Sequence, residues 1–221
     1  LLTMKFCKLA PTLRSCSVLG VLLPVGLLAG CLSTAVVQAA DWIPIKTRQE
    51  VKIYSHTPPG RDYRRLRGEV TVEAKPGKVV RILQDLERTP EWHLHTTRVK
   101  ELELVDMTTA IVHIHSRPPW PVKPRDVVAR VSLTLLKATG AIRIDMKSVD
   151  DVLPSQPGFI RTERLDAEWL ITPESEDSSR VRYTLYVEPG GSIPRWIFNN
   201  VSMDVPLFSL IHLRELISRK D

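Results

Sequence analysis

The chain has 221 residues, 43% of them hydrophobic, and a formal net charge of +6, a size that one hydrophobic core accommodates. Residues 1–40 hold three cations (Lys5, Lys8, Arg14) and no acidic residue, so the remainder carries only +3, spread without a basic stripe, and nucleic acid is not an expected partner. The three cysteines, Cys7, Cys16 and Cys31, lie in the same 40 residues, which excludes disulfides and thiol chemistry beyond them and leaves stability to apolar burial.

Met4 reads as the start of an export signal, with Lys5, Lys8 and Arg14 ahead of an apolar stretch at 18–28 that is short for a bilayer span. Its end, Leu28-Ala29-Gly30-Cys31, resembles the lipobox of bacterial lipoproteins, in which the cysteine is acylated and becomes the new N-terminus. A competing cut follows Ala39 or Ala40. Both outcomes stay open: a lipoprotein anchored through Cys31, or a soluble periplasmic protein. Leu32, where inner-membrane lipoproteins carry Asp, points an anchored form to the outer membrane. The expected division is a leader at 1–40 and a folded domain at 41–221.

From 41 to 191 the pattern is mostly period-two alternation, which predicts strands at 51–55, 66–74, 98–105, 109–116, 127–136, 141–149, 159–171 and 181–188. Arg61, Arg64, Arg65 and Arg67 form the one dense basic patch, either a solvated loop or a contact for anionic head groups. Within 75–92, Pro76 and the helical spacing of Val79, Val80, Ile82, Leu83 and Leu86 predict one or two short helices. The strands have one dry face each: Val127, Ala129, Val131, Leu133 and Leu135 alternate with Arg130, Ser132 and Thr134. By the same parity Arg161 and Glu163 point inward in the 159–171 strand, as a mutual salt bridge or as ligand contacts. His113 pairs with His115, and His93 with His95, without a spaced third ligand; wet-face histidines are expected and no metal.

Glu188-Pro189-Gly190-Gly191-Ser192-Ile193-Pro194 is a turn that feeds a long helix ending near Ile217, with Ser192 as the expected N-cap. Its apolar arc, including Trp196, Val201, Val205, Phe208 and Ile211, is wider than one-sided packing requires. Asn200 and Asp204 fall inside that arc, and Pro206 predicts a kink. Either the helix lids an internal pocket, or it is a core helix in which Asn200 and Asp204 cap the broken turn. An α+β fold follows, a curved antiparallel sheet gripping the helix with a cavity between them. No G-x-S-x-G elbow, P-loop or dinucleotide fingerprint occurs, although paired carboxylates need no short signature.

Pro119-Trp120-Pro121 followed by Arg125-Asp126-Val127-Val128, then Ala167-Glu168-Trp169, then the 188–194 turn with Trp196 and Asn199, in this order and spacing, resembles the START family of lipid-transfer domains over roughly 45–217. The resemblance implies the helix-grip fold and a tunnel for one hydrophobic molecule, a lipid, sterol-like compound or isoprenoid, bound without a cofactor by a monomer that meets a membrane surface. It implies that Trp120, Arg161, Glu163, Trp169, Trp196, Asn200, Asp204 and Phe208 line or lid the tunnel, which opens by movement of the helix and of the loop 117–125. Trp120 either enters the membrane interface or plugs the sheet end. Family members often place a cavity arginine five residues after the motif aspartate, where this chain has Val131, so Arg161, Glu163, Asn200 or Asp204 would have to hold a head group. An enzymatic alternative, a cyclase or hydrolase, would use Glu163 or Asp204 as acid or base. A collapsed cavity would indicate an envelope scaffold instead.

Overall fold

The alternating runs form one antiparallel sheet. The computed structural model describes residues 41–219, so the export signal, its processing sites and Cys31 lie outside the described residues. In chain order the elements are β1 (Ile43–Arg48), β2 (Val51–His56), β3 (Arg65–Val72), α1 (Pro76–Gln84), α2 (Thr89–Trp92), β4 (Thr96–Asp106), β5 (Thr109–Ser116), β6 (Arg125–Leu136) and β7 (Ala141–Ser148). They continue as β8 (Ile160–Arg161), β9 (Arg164–Pro173), β10 (Ser179–Glu188) and α3 (Arg195–Ser218). The strand order is β1-β2-β3-β10-β9-β7-β6-β5-β4, with β8 alone running parallel beside the start of β6. This is the expected helix-grip arrangement, with α3 packed on the sheet.

The core sits at one end of this sheet. Val51, Ile53, Val72, Val181 and Ile171 are fully buried, against Leu207, Leu210, Leu213 and Ile217 of α3 and Val79 of α1. Burying side chains of this size stabilises by about 1.5–3 kcal/mol each before entropy is counted. Gly68 of β3 sets the distance between layers: a Cβ there would run into the side chains of Leu210 and Pro206. Glycine therefore lets α3 lie directly on β3, and Pro206, buried in this contact, sits inside a helix that continues to Ser218.

Beyond shifts of one or two residues at strand ends, three features differ from the sequence pattern. Pro194, not Ser192, holds the N-cap position of α3, and no side chain caps it; the fixed proline φ starts the helix two residues later than expected. The 159–171 strand is broken at Thr162 and Glu163: β8 joins β6, with Arg161 opposite Asp126, while β9 begins at Arg164 and pairs with β7 and β10. Strand β1, which the alternation did not predict, pairs only with β2 and leaves nearly every residue exposed. Among the described residues no helix is long and apolar enough to cross a membrane.

Candidate functional site

At the other end of the sheet the concave face is not filled. A cavity of about 440 Å³ lies beneath the first half of α3, with Val112 and Ile114 of β5, Val127 and Val131 of β6, Leu165 and Trp169 of β9 on its sheet side. Phe198, Val201, Ser202 and Val205 of α3 cover it, and Leu83 of α1, Trp92 of α2 and Leu86 between them close it. The helix thus has two halves with different work: Leu207 onward is core, and the residues before it roof a hollow. The cavity follows β5 along its length, from Met107 and Thr108 in the β4–β5 hairpin to Ser116, Pro118 and Val122 beside the 117–124 loop. Its lining is predominantly aliphatic and aromatic, which suits an apolar ligand of drug-like size, since such pockets span roughly 300–1,000 Å³.

Gln84, His95 and Glu101 also line it, and two polar groups in it are held by specific partners. The first is built by register: Tyr183 of β10 lies opposite Trp169 of β9, and the rings stack at 3.9 Å with 7° between their planes. Trp92 packs edge-on to Trp169 at 5.6 Å, an arrangement that favours the ring quadrupoles. His93 follows directly and shares hydrogen bonds with Thr96 Oγ1 at 2.8 Å through Nδ1 and with Tyr183 Oη at 3.0 Å through Nε2. Burial, helped by neighbouring His95, pushes the His93 pKa down to about 4, so the imidazole is neutral at physiological pH. Burial pushes the Tyr183 hydroxyl up. The chain Thr96–His93–Tyr183 is therefore uncharged, and either tautomer satisfies it. Ser209 Oγ accepts the Leu94 N–H at 2.9 Å and ties this corner to α3.

The second is Arg125, the first residue of β6, which is 5% exposed and lines the end of the cavity at the 117–124 loop. Its Nε donates to the Pro189 carbonyl at 3.1 Å, Nη1 to the Lys123 carbonyl at 2.7 Å and Nη2 to the Gly190 carbonyl at 3.5 Å. The following residue, Asp126, faces the other way and is completely buried beneath the 149–159 loop. There it accepts from Arg161 Nη2 at 2.8 Å and Nε at 3.2 Å, and shares a 2.9 Å bond with His113 Nε2. Burial alone would raise the Asp126 pKa, but these two partners outweigh it and hold the carboxyl below the usual range. Arg161 also donates to the carbonyls of Leu153 and Pro154, and Phe159 stacks on His115 at 4.5 Å, so the loop is fastened to the outer face of the sheet.

The residues expected at the site divide accordingly. Trp169 lines the main cavity. Asn200, Asp204 and Phe208 line a second, shallower hollow outside it, with Leu94, His95, Pro119 and Val201; Asp204 is half-exposed there and pairs with Lys46 at 3.1 Å. Trp120 and Trp196 are 92% and 68% exposed, at the tip of the 117–124 loop and in the first turn of α3. Arg161 is on the outer face of the sheet paired to Asp126, not to Glu163, because β8 takes its register from β6. Glu163 is exposed and meets its neighbours through its N–H, which donates to the Glu188 carbonyl. Neither Glu163 nor Asp204 lines the main cavity, so neither is placed for the acid–base role considered for it. His113 and His93, expected on wet faces, are both withdrawn from solvent: His113 is buried under the 149–159 loop, and His93, partly buried, faces the cavity. Among the described residues no three His, Cys, Asp or Glu side chains gather to hold a metal.

Sequence parity could have found Arg125, since it shares the dry face of Val127, Ala129 and Val131. Tyr183, between Val181 and Leu185, carries the same signal.

Residues 27–217 match the family model described as the START domain. An uncharacterised protein of Pseudomonas aeruginosa is 31% identical over 184 residues, 82% of this chain and 89% of that protein. The mitochondrial steroidogenic acute regulatory protein of Danio rerio is 27% identical over 152 residues; the match takes in 66% of this chain and 53%, about half, of that relative. Among solved structures, the STAR-related lipid transfer protein of Xanthomonas axonopodis gives a TM-score of 0.74 at 30% identity, over 80% of this chain and 99% of the other. Human StAR-related lipid transfer protein 5 gives 0.74 at 15% identity, over 80% and 86%, a likeness of fold alone.

Proposed function

Because this chain belongs to the START domain family and has its helix-grip fold, we propose that it binds one hydrophobic molecule in the cavity under α3 and carries or senses it in the bacterial envelope. The observation that supports this most directly is an apolar hollow of about 440 Å³ roofed by one half of a helix whose other half is firmly packed. Burying about 300 Å² of ligand hydrocarbon is worth on the order of 7 kcal/mol before association costs, enough for a carrier that performs no chemistry.

Exposed Trp120 follows Pro119, and exposed Trp196 lies one helical turn before Asn200; Pro119 and Asn200 both line the second hollow. The basic 61–67 segment is held beside them: Arg195 pairs with Asp62 at 2.5 Å, and the Asn199 side chain accepts the Arg64 N–H at 3.2 Å. Aromatic tips next to cations suit an anionic bilayer surface, so this end is the proposed membrane-facing end and the place where α3 and the loop would part to admit a ligand. The expected export signal and acylation at Cys31 would put that surface in the periplasm. Metabolic labelling with a tritiated fatty acid tests the anchor: incorporation lost in Cys31→Ala supports it, and an unlabelled wild-type protein overturns it.

Native mass spectrometry of the exported protein purified without detergent tests the main reading. A stoichiometric small lipid is the expected result. A uniformly ligand-free protein that also takes up no added apolar ligand would refute a carrier role.

A further inference from the structure

The feature that needs an explanation is a cation at the end of an apolar cavity. Buried guanidinium groups are normally neutralised by a carboxylate, yet among the described residues Arg125 has no ion-pair partner, and its three acceptors are all neutral backbone carbonyls. Asp126, the adjacent acid, is on the opposite face and already engaged by Arg161 and His113. Tyr63, whose own pKa burial raises, is a neutral hydroxyl at physiological pH. A guanidinium has five N–H donors in a rigid fork; three are committed, which leaves two. Ser116 and Thr162 line the same end of the cavity.

We propose that the molecule held in this cavity carries a single carboxylate, and that Arg125 binds it. This rests on the reading that the cavity takes one apolar molecule, and it adds which end of that molecule goes where: the acid lies at the 117–124 loop, and the apolar body extends along β5 toward the hairpin. One negative charge fits better than two. A phosphate monoester would set a second charge against the carbonyl oxygens of Lys123, Pro189 and Gly190, and among the described residues no other Lys or Arg lines the cavity to meet it. A two-tailed phospholipid exceeds the size class of a cavity of this volume. Arginine stays protonated throughout the accessible pH range, so the carboxylate must be ionised for the contact to form.

Matched ligands test this on the full chain. Lauric acid, dodecanol and methyl laurate share one alkyl chain and differ at the head, and isothermal titration calorimetry at pH 8 compares them. Lauric acid is expected to bind at least tenfold more tightly than the alcohol or the ester. In Arg125→Met that preference disappears while dodecanol binding stays within about twofold of wild type; Arg125→Lys, which keeps the charge but loses the fork, is intermediate. Equal affinities in wild type overturn the carboxylate assignment and leave the cavity reading standing. Failure of all three to bind removes the cavity reading and this one with it. If Arg125 serves only to clamp the 189–190 turn, Arg125→Met lowers the Tm and weakens acid and alcohol alike, which also refutes the proposal. Should the methionine variant not fold, the wild-type series and Arg125→Lys still decide.

Discussion

His93 is neutral in the fold because burial depresses its pKa to about 4, whereas an unfolded histidine titrates near 6.5. Between those values the unfolded chain binds a proton that the native chain does not, so stability is full above about pH 6.5 and falls as pH drops toward 4. The loss attributable to His93 is up to about 3 kcal/mol. Asp126 acts in a lower window: its pKa is held down, so its contribution is present above the ordinary carboxylate range and lost only as pH falls below it. His95 and His115, also lowered chiefly by burial, act in the same direction as His93. Thermal denaturation from pH 7.5 to 4.5 is expected to show a falling Tm, and His93→Gln, which keeps a donor and an acceptor, to reduce the slope; an unchanged slope would mean that His93 is charged or accessible in the fold. Gly190 makes a different demand. It adopts φ +70°, and a Cβ would strike the backbone carbonyl of Arg161. Gly190→Ala should therefore destabilise by more than about 1 kcal/mol in urea denaturation, while Gly60→Ala, where nothing lies within 4 Å of the added methyl despite a φ of +70°, should show the cost of the backbone conformation alone.

At the scale of elements, α3 combines a packed half and a roofing half. Leu210 is fully buried over Gly68, and Leu210→Ala should cost about 2–5 kcal/mol. Amides of the roofing half, up to Val205, are expected to exchange with deuterium faster than those from Leu207 onward, and to slow when a ligand fills the cavity; uniform protection along the helix would contradict a lid. Strand β5 was legible to the residue because its β-branched residues Thr109, Ile111, Val112 and Ile114 form one compact run between polar ends. The helix and its apolar arc were legible because Pro189 through Pro194 mark its beginning and 24 residues follow without a second breaker strong enough to end it. Strand β1 was not, since a six-residue edge strand with one partner buries almost nothing and need not alternate. Nor was the break at Thr162 and Glu163: parity extrapolated through it put Arg161 inside, whereas the choice between one long strand and two short ones is made by pairing with β6. The same limit hid His113, whose face is outer but covered by a loop that periodicity does not register. Site residues were therefore readable where a regular strand presented them and unreadable where a loop returned over the sheet.

Across the whole molecule, one sheet serves two ends, a solid core under Leu207 to Ile217 and a hollow under Phe198 to Val205. The exposed tryptophans lie at the hollow end, so loss of both should separate membrane binding from folding. Trp120→Ala with Trp196→Ala is expected to weaken co-sedimentation with anionic vesicles by about tenfold, equivalent to roughly 1.4 kcal/mol, with little change in Tm because neither side chain is buried; unaltered sedimentation would remove this face from the membrane. The hollow also couples the protein to a variable without chemical specificity. Hydrostatic pressure favours the state of smaller total volume, and internal voids are surrendered when a chain unfolds. An apolar hollow of about 440 Å³ holds water poorly, so the empty protein is the more compressible form and gives way at lower pressure than the loaded one, whose void is already occupied.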